Sequence, residues 1–143
     1  MLTLDYPAEL EADPSSGFVV TFPDFGYGVT EGDTREEALG HASDLLETLI
    51  ASAIDDSEDL PTPSPANGRP LVTVRPLVAA KAGLYRALRQ SGVSRTELAR
   101  RLGWQFLQVQ RLLDPTHKSS IEHVEQALRA IGKTLVVGVD DAA

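Results

Sequence analysis

The sequence predicts an α+β chain of two parts, a small β-sheet carrying one long helix followed by an all-helical unit that contains a helix-turn-helix. Three observations predict it. Runs of β-branched and aromatic residues separated by turn residues occupy the chain up to Glu31. The apolar period then switches from strand-like to helical near Thr34. A proline-rich break precedes a series of short helical patterns with start and stop signals.

Residues 2–11 (LTLDYPAELE) and 17–23 (GFVVTFP) read as the two strands of a hairpin, with ADPSSG as the turn between them. Pro7 has no N–H to give to a ladder, so the first strand is expected at an edge or bulged at that point. Tyr27 to Glu31 form a third short strand after the turn-like PDFG. In TREEALGHASDLLETLIASAI, Ala38, Leu39, Ala42, Leu45, Leu46, Leu49, Ile50 and Ala53 recur at helical spacing, which gives the helix one apolar face to lay on the hairpin. Thr34 with Glu37, or Asp33 with Glu36, supplies a capping box at its start. Residues 55–70 (DDSEDLPTPSPANGRP), with four prolines and a glycine, read as a linker-like loop. The PLVTVRP that follows is expected as a fourth strand returning to the first domain's sheet, so the domains are taken as 1–75 and 76–143.

The second domain opens with a helix from Leu77 to Gln90, with Ala82, Tyr85 and Leu88 facing inward and Gly92 as its stop. Ser94 and Glu97 form another capping box. In RTELARRLGWQFLQVQRLLD, a small residue (Ala99), a glycine (Gly103) and a compact branched residue (Val109) stand at the offsets that let two short helices cross closely. Leu98, Leu102, Trp104 and Leu112 fill their shared core. Ser119 with Glu122 caps a last helix built on Ile121, Val124, Ala127, Leu128 and Ile131 and ended by Gly132. The terminal TLVVGV is a β-type run with two readings: a strand paired with its copy in a second subunit, or an edge strand within the chain.

Charge separates the halves. Residues 1–60 carry fifteen Asp and Glu against one arginine, Arg35, whereas residues 61–143 carry twelve Lys and Arg against six Asp and Glu. The first half repels nucleic acid and suits a basic partner; the second suits a phosphate backbone. A 42% hydrophobic and 24% charged composition excludes wholesale disorder, and the absence of cysteine excludes disulfides and thiolate metal sites. No run approaches a membrane span and no signal segment opens the chain, so a cytoplasmic location is expected.

In a bihelical reader the second helix, from about Gln105 to Leu113, enters the major groove. Gln105, Gln108, Gln110 and Arg111 are then its candidate base contacts, because glutamine and arginine match adenine and guanine edges. Arg95, Arg100 and Arg101 suit phosphate. Phe106 and Leu107 stand where polar residues are common in such helices; they fit thymine methyl groups or a buried interface. In the first domain Asp24, Phe25 and Tyr27, a turn with aromatics, are the candidate partner contacts.

FVVTFPDFGYGVTEGDTREEAL, the RPLVAAKAGLYRAL junction and ELARRLGW…QVQRLLDPTHKSSIEHVEQALRAIGKTL together resemble HicB-type antitoxins with a C-terminal helix-turn-helix, over almost the whole chain and in order. The resemblance implies a partial RNase H-like β-β-β-α-β domain that binds and masks a HicA-type mRNA-cleaving toxin. It also implies a second domain that binds the operator of the same operon and assembles the chain as a homodimer or higher oligomer. Gln105-Phe106-Leu107 departs from the family's pattern.

An RNase H-like fold raises nuclease chemistry, for which Asp5, Asp24, Glu31 and Asp33 would be the carboxylates; no spacing demonstrates that they converge on metal ions. His41, His117 and His123 lack metal-ligand spacing, and no phosphate loop or nucleophile motif is present. The expectation is a binding protein with neither cofactor nor metal. A stand-alone regulator whose acidic domain senses a small ligand is the alternative.

Overall fold

The computed structural model describes residues 3–141. Met1 and Leu2, where the expected first domain and first strand begin, and Ala142 and Ala143, where the second domain ends, lie outside the described residues. The elements run β1 (Tyr6–Pro7), β2 (Glu9–Ala12), β3 (Phe18–Thr21), β4 (Val29–Gly32), α1 (Arg35–Asp55), β5 (Leu71–Val72), α2 (Pro76–Ser91), α3 (Arg95–Leu102), α4 (Phe106–Leu113) and α5 (Ile121–Ala130). This is an α+β chain, sheet and helix first and helices after. No helix among the described residues is long and apolar enough to cross a membrane.

The expected first strand breaks in two. Tyr6 and Pro7 pair antiparallel with Val72 and Leu71. The Ala8 amide then donates to the Pro70 carbonyl at 2.9 Å, and from Glu9 onward the chain pairs with β3 instead. The partner changes directly after the one residue that has no N–H. The fourth strand thus returns to the first, but in a ladder of its own, separate from the three-stranded sheet β2-β3-β4.

Register decides which side chains meet α1. Leu10 stands opposite Val20, and Val20 opposite Thr30, on the face that α1 covers. Glu9, Thr21 and Val29, with Glu11, Val19 and Glu31, share the other face. Along α1 the buried positions are Ala38, Ala42, Leu46, Leu49, Ile50, Ala53 and Ile54, the predicted stripe extended by one residue; Leu39 and Leu45 are only half-buried. Thr34 caps the helix, its Oγ1 accepting from the Glu37 amide at 3.1 Å. The helix can close on β4 because Gly32 has no side chain: a Cβ there would lie 2.4 Å from the Ala38 nitrogen.

Residues 56–70 have no regular structure but are fastened on both sides. Tyr6 Oη donates to the Pro61 carbonyl at 2.7 Å, and Tyr85 Oη donates to the Glu58 carbonyl at 2.6 Å. Leu60 is buried between them. Burial raises both phenol pKa values, Tyr6 to about 12.

α2 starts with Pro76 in its first turn and ends on a left-handed Gly92. Ser94 Oγ accepts from the Glu97 amide at 3.0 Å. Only that half of the expected box forms, because the Glu97 carboxylate turns to Arg100 and Arg101. Gly103, at φ 68°, ends α3 and allows the turn into α4. α5 is capped by Ser120 rather than Ser119, with the His123 amide as donor at 3.2 Å. Val109, Leu112 and Leu113 of α4 join Leu98, Val124, Ala127 and Leu128 in the core, while Leu102 and Trp104 sit at its margin. The described part of the terminal β-type run forms no strand within the chain, and Val136, Val137 and Val139 are 63%, 79% and 99% exposed.

Gly32→Ala forces the first turn of α1 off β4. It is expected to cost about 1–3 kcal/mol, as overpacking does, read as a lower urea midpoint with an unchanged slope.

Candidate functional site

α4 carries the largest group of predicted contact residues, and the structure shows that several already have partners. The Gln105 amide donates to Gln108 Oε1 at 2.7 Å, so the Gln108 side chain caps the helix it belongs to. That use takes one of the two lone pairs of its oxygen and turns the amide group back towards its own helix, so the bidentate adenine contact expected of Gln108 calls for a different side-chain direction. An Arg95 guanidinium nitrogen donates to Gln110 Oε1, joining α3 to α4. Arg100 Nε donates to the Glu97 carboxylate at 2.8 Å and Arg101 Nε at 3.2 Å; Arg101 also donates to the Ala130 carbonyl at 3.0 Å. Glu97 is half-buried, and its bonds to Arg100 and then Arg101 pull its pKa down to about 2. Two of the three arginines expected on phosphate therefore share one carboxylate.

Gln105, Phe106, Leu107 and Arg111 remain exposed on α4. Phe106 and Leu107, 48% and 54% exposed, take no part in the core, which leaves them to an outside surface. Arg111 stands between two open grooves. One, of about 740 Å³, separates Leu107, Gln110 and Arg111 from Thr48, Ser52 and Asp55 of α1. The other, of about 560 Å³, runs from Gln108 and Arg111 to His117, Lys118, Ser120 and His123 at the start of α5. Trp104 closes its floor, edge-on to the His123 ring at 5.3 Å. Sequence reasoning set His117 and His123 aside for lack of metal-ligand spacing and did not single out Lys118. The available signal was THKSS, basic groups placed directly before a serine-capped helix, where free amides also favour anions.

Among residues 24–27 the three candidate contacts separate. Asp24 Oδ2 accepts from the Ser64 amide at 3.0 Å, and the Phe25 ring lies 4.9 Å from that of Tyr6. Both are engaged within the chain. Tyr27, 53% exposed, stands free just before β4, followed by Val29 at 62%. These lead onto the uncovered sheet face, where Glu9, Glu11 and Glu31 surround Val19, Thr21 and Val29. The carboxylates considered for catalysis do not converge: among the described residues no group of three or more His, Asp or Glu is placed to hold a metal ion. His41 Nδ1 donates to the Glu31 carbonyl, 2.7 Å away.

Comparison with known sequences gives one consistent result. The family described as "HicB_like antitoxin of bacterial toxin-antitoxin system" matches residues 5–83. "Antitoxin HicB 2" of Photorhabdus laumondii is 40% identical over 130 residues, covering 91% of this chain and 92% of that protein. "Antitoxin HicB" of Pseudomonas fluorescens is 39% identical over 142 residues (96% and 95%), and that of Escherichia coli K12 37% over 131 (91% and 95%). Among solved structures, a chain of the "Toxin-Antitoxin complex from Streptococcus pneumoniae" aligns with 23% identity and a TM-score of 0.47, over 76% of this chain and 95% of that one.

The depressed Glu97 pKa gives a direct check. A carboxyl-detected NMR titration should place it at about 2, and Arg100→Ala with Arg101→Ala should return it towards the ordinary carboxylate range. Because the folded value is the lower one, the stability this group adds is complete above the unfolded pKa and is lost as pH falls through the folded one.

Proposed function

We propose that this chain, which belongs to the HicB-like antitoxin family of bacterial toxin–antitoxin systems, neutralises a HicA-type mRNA-cleaving toxin in the cytoplasm and represses its own operon through operator DNA. The likeness to named antitoxins over more than nine-tenths of the chain carries the reading. An antitoxin's role is binding rather than catalysis.

The first domain supplies the toxin contact. A protein that grips RNA must present positive charge, and the uncovered face of β2-β3-β4, with Tyr27 and Val29 exposed beside three glutamates, matches it in charge and offers apolar anchors. Asp24 and Phe25 act there by shaping the turn that presents Tyr27. The second domain supplies the DNA contact, with α3 and α4 as the helix-turn-helix. Arg111 and Gln105 face the bases, Gln110 is set by Arg95, and Arg100, Arg101 and Lys118 lie along the backbone. Two operator half-sites call for two copies of this unit, and the terminal TLVVGV run, unpaired over its described residues, suits pairing between copies.

RNA cleavage by the small basic protein encoded beside this chain, with and without the full-length chain, tests the first role. Cleavage is expected to stop in its presence, and Tyr27→Ala to weaken the complex at least tenfold, the scale of an interface anchor; undiminished cleavage with the wild-type chain overturns the antitoxin reading. For the second role, Arg111→Ala is expected to cost about 1–3 kcal/mol on operator DNA, read by fluorescence anisotropy.

A further inference from the structure

Lys81 lies in the middle of α2 and is fully buried, an uncommon state for a lysine. Its Nζ donates to the Asp114 carbonyl at 2.8 Å, to the Arg111 carbonyl at 3.2 Å and to the His117 carbonyl. An ammonium has three N–H bonds, and all three are used here. The acceptors belong to the last turn of α4 and to the turn leading into α5, where helix carbonyls lack partners of their own and a positive charge is favoured. The same turn is closed from its other side, where Asp114 Oδ1 accepts from the Thr116 amide at 2.9 Å and from its hydroxyl at 2.7 Å.

α4 has eight residues and is about 12 Å long, too short to hold its own direction. The Gln108 cap closes its start, Arg95 holds Gln110 from α3, and Lys81 holds its exit from α2. The Lys81 side chain, with no solvent-accessible surface, cannot touch phosphate. Arg111, whose carbonyl Lys81 holds, is the exposed cation of α4 that reaches both grooves.

We propose that Lys81 is a positioning residue for sequence readout: its ammonium fixes the exit of α4 on α2 and so sets the direction in which Arg111 and the exposed first turn of α4 face DNA. The inference rests on the operator-binding reading above. It makes Lys81 a determinant of specificity without contact to DNA. Its loss removes the preference for the correct sequence but leaves the number of phosphate contacts, and hence the salt dependence, as it was.

The chain has no cysteine, so Lys81→Cys introduces a single one. Alkylation in denaturant with 2-bromoethylamine, followed by refolding, restores a side chain of lysine's length with its ammonium. Alkylation with 1-bromopropane gives a side chain of the same length without charge. Both proteins and the wild type are assayed on a duplex from the chain's own promoter and a scrambled duplex, over a range of salt, with thermal melting and toxin inhibition measured alongside. The aminoethyl form should bind as wild type. The propyl form should lose at least tenfold in promoter affinity, with scrambled-duplex binding, salt slope and toxin inhibition kept. Undiminished promoter preference in the propyl form overturns the proposal. So does loss of folding or of toxin inhibition together with DNA binding, which makes Lys81 a residue of the fold alone. A wild type that does not prefer its promoter fails the operator reading itself, and the proposal with it.

Discussion

Two phenol hydroxyls hold the architecture together. The sheet with α1 and the helices α2 to α5 share one continuous set of buried side chains, and the proline-rich residues 56–70 cross between them. Four prolines leave that segment short of four amides, and its carbonyls must find donors once it is packed. Tyr6 from the sheet and Tyr85 from α2 each donate to one of those carbonyls, with Leu60 buried between them. Both hydroxyls are protonated, and therefore able to donate, across the whole physiological range, and burial raises their pKa values further. Around this seam the charged side chains follow: Arg75 forks onto Glu47, and Arg89 meets Asp59 at 2.5 Å beside the Tyr85 ring. The geometry in which the sheet face and α4 are presented depends on that seam.

Much of the fold was legible because it is written in periods and caps. The stripe on α1, Thr34 and Ser94 as caps, and glycines at both helix stops follow from local rules that tertiary packing did not override. What escaped was set by contacts distant in sequence. The break in the first strand depends on Pro70 lying opposite Ala8. The cap of α5 moved from Ser119 to Ser120, because adjacent serines offer the same chemistry and only the approach of the helix selects one. The terminal run has strand composition but finds no partner strand within the described chain.

The candidate contact residues were less legible than the fold. Composition identified glutamines and arginines on and beside α4, but cannot tell a side chain free to reach outward from one satisfied by its neighbour. Gln108 closes its own helix and Gln110 receives Arg95, so these residues preorganise the helix before any contact outside it. Lys81 was invisible for the opposite reason. A lysine among AAKAG reads as a solvated position, and its three acceptors are main-chain atoms some thirty residues away that no sequence pattern displays.

The division of labour within α4 bears on how related systems coexist in one cell. Photorhabdus laumondii has two relatives of this chain, named Antitoxin HicB 1 and HicB 2. In the arrangement seen here, the side chains that hold the helix, Gln108 and Val109 among them, are distinct from Phe106, Leu107 and Arg111, which are exposed and join no core. On the proposed reading, the exposed set drifts without loss of stability, since surface changes of this kind alter folding by less than about 0.5 kcal/mol. Duplicated copies can then acquire separate addresses on the chromosome while keeping one scaffold, so that cross-talk between them is removed by side chains that the fold does not need.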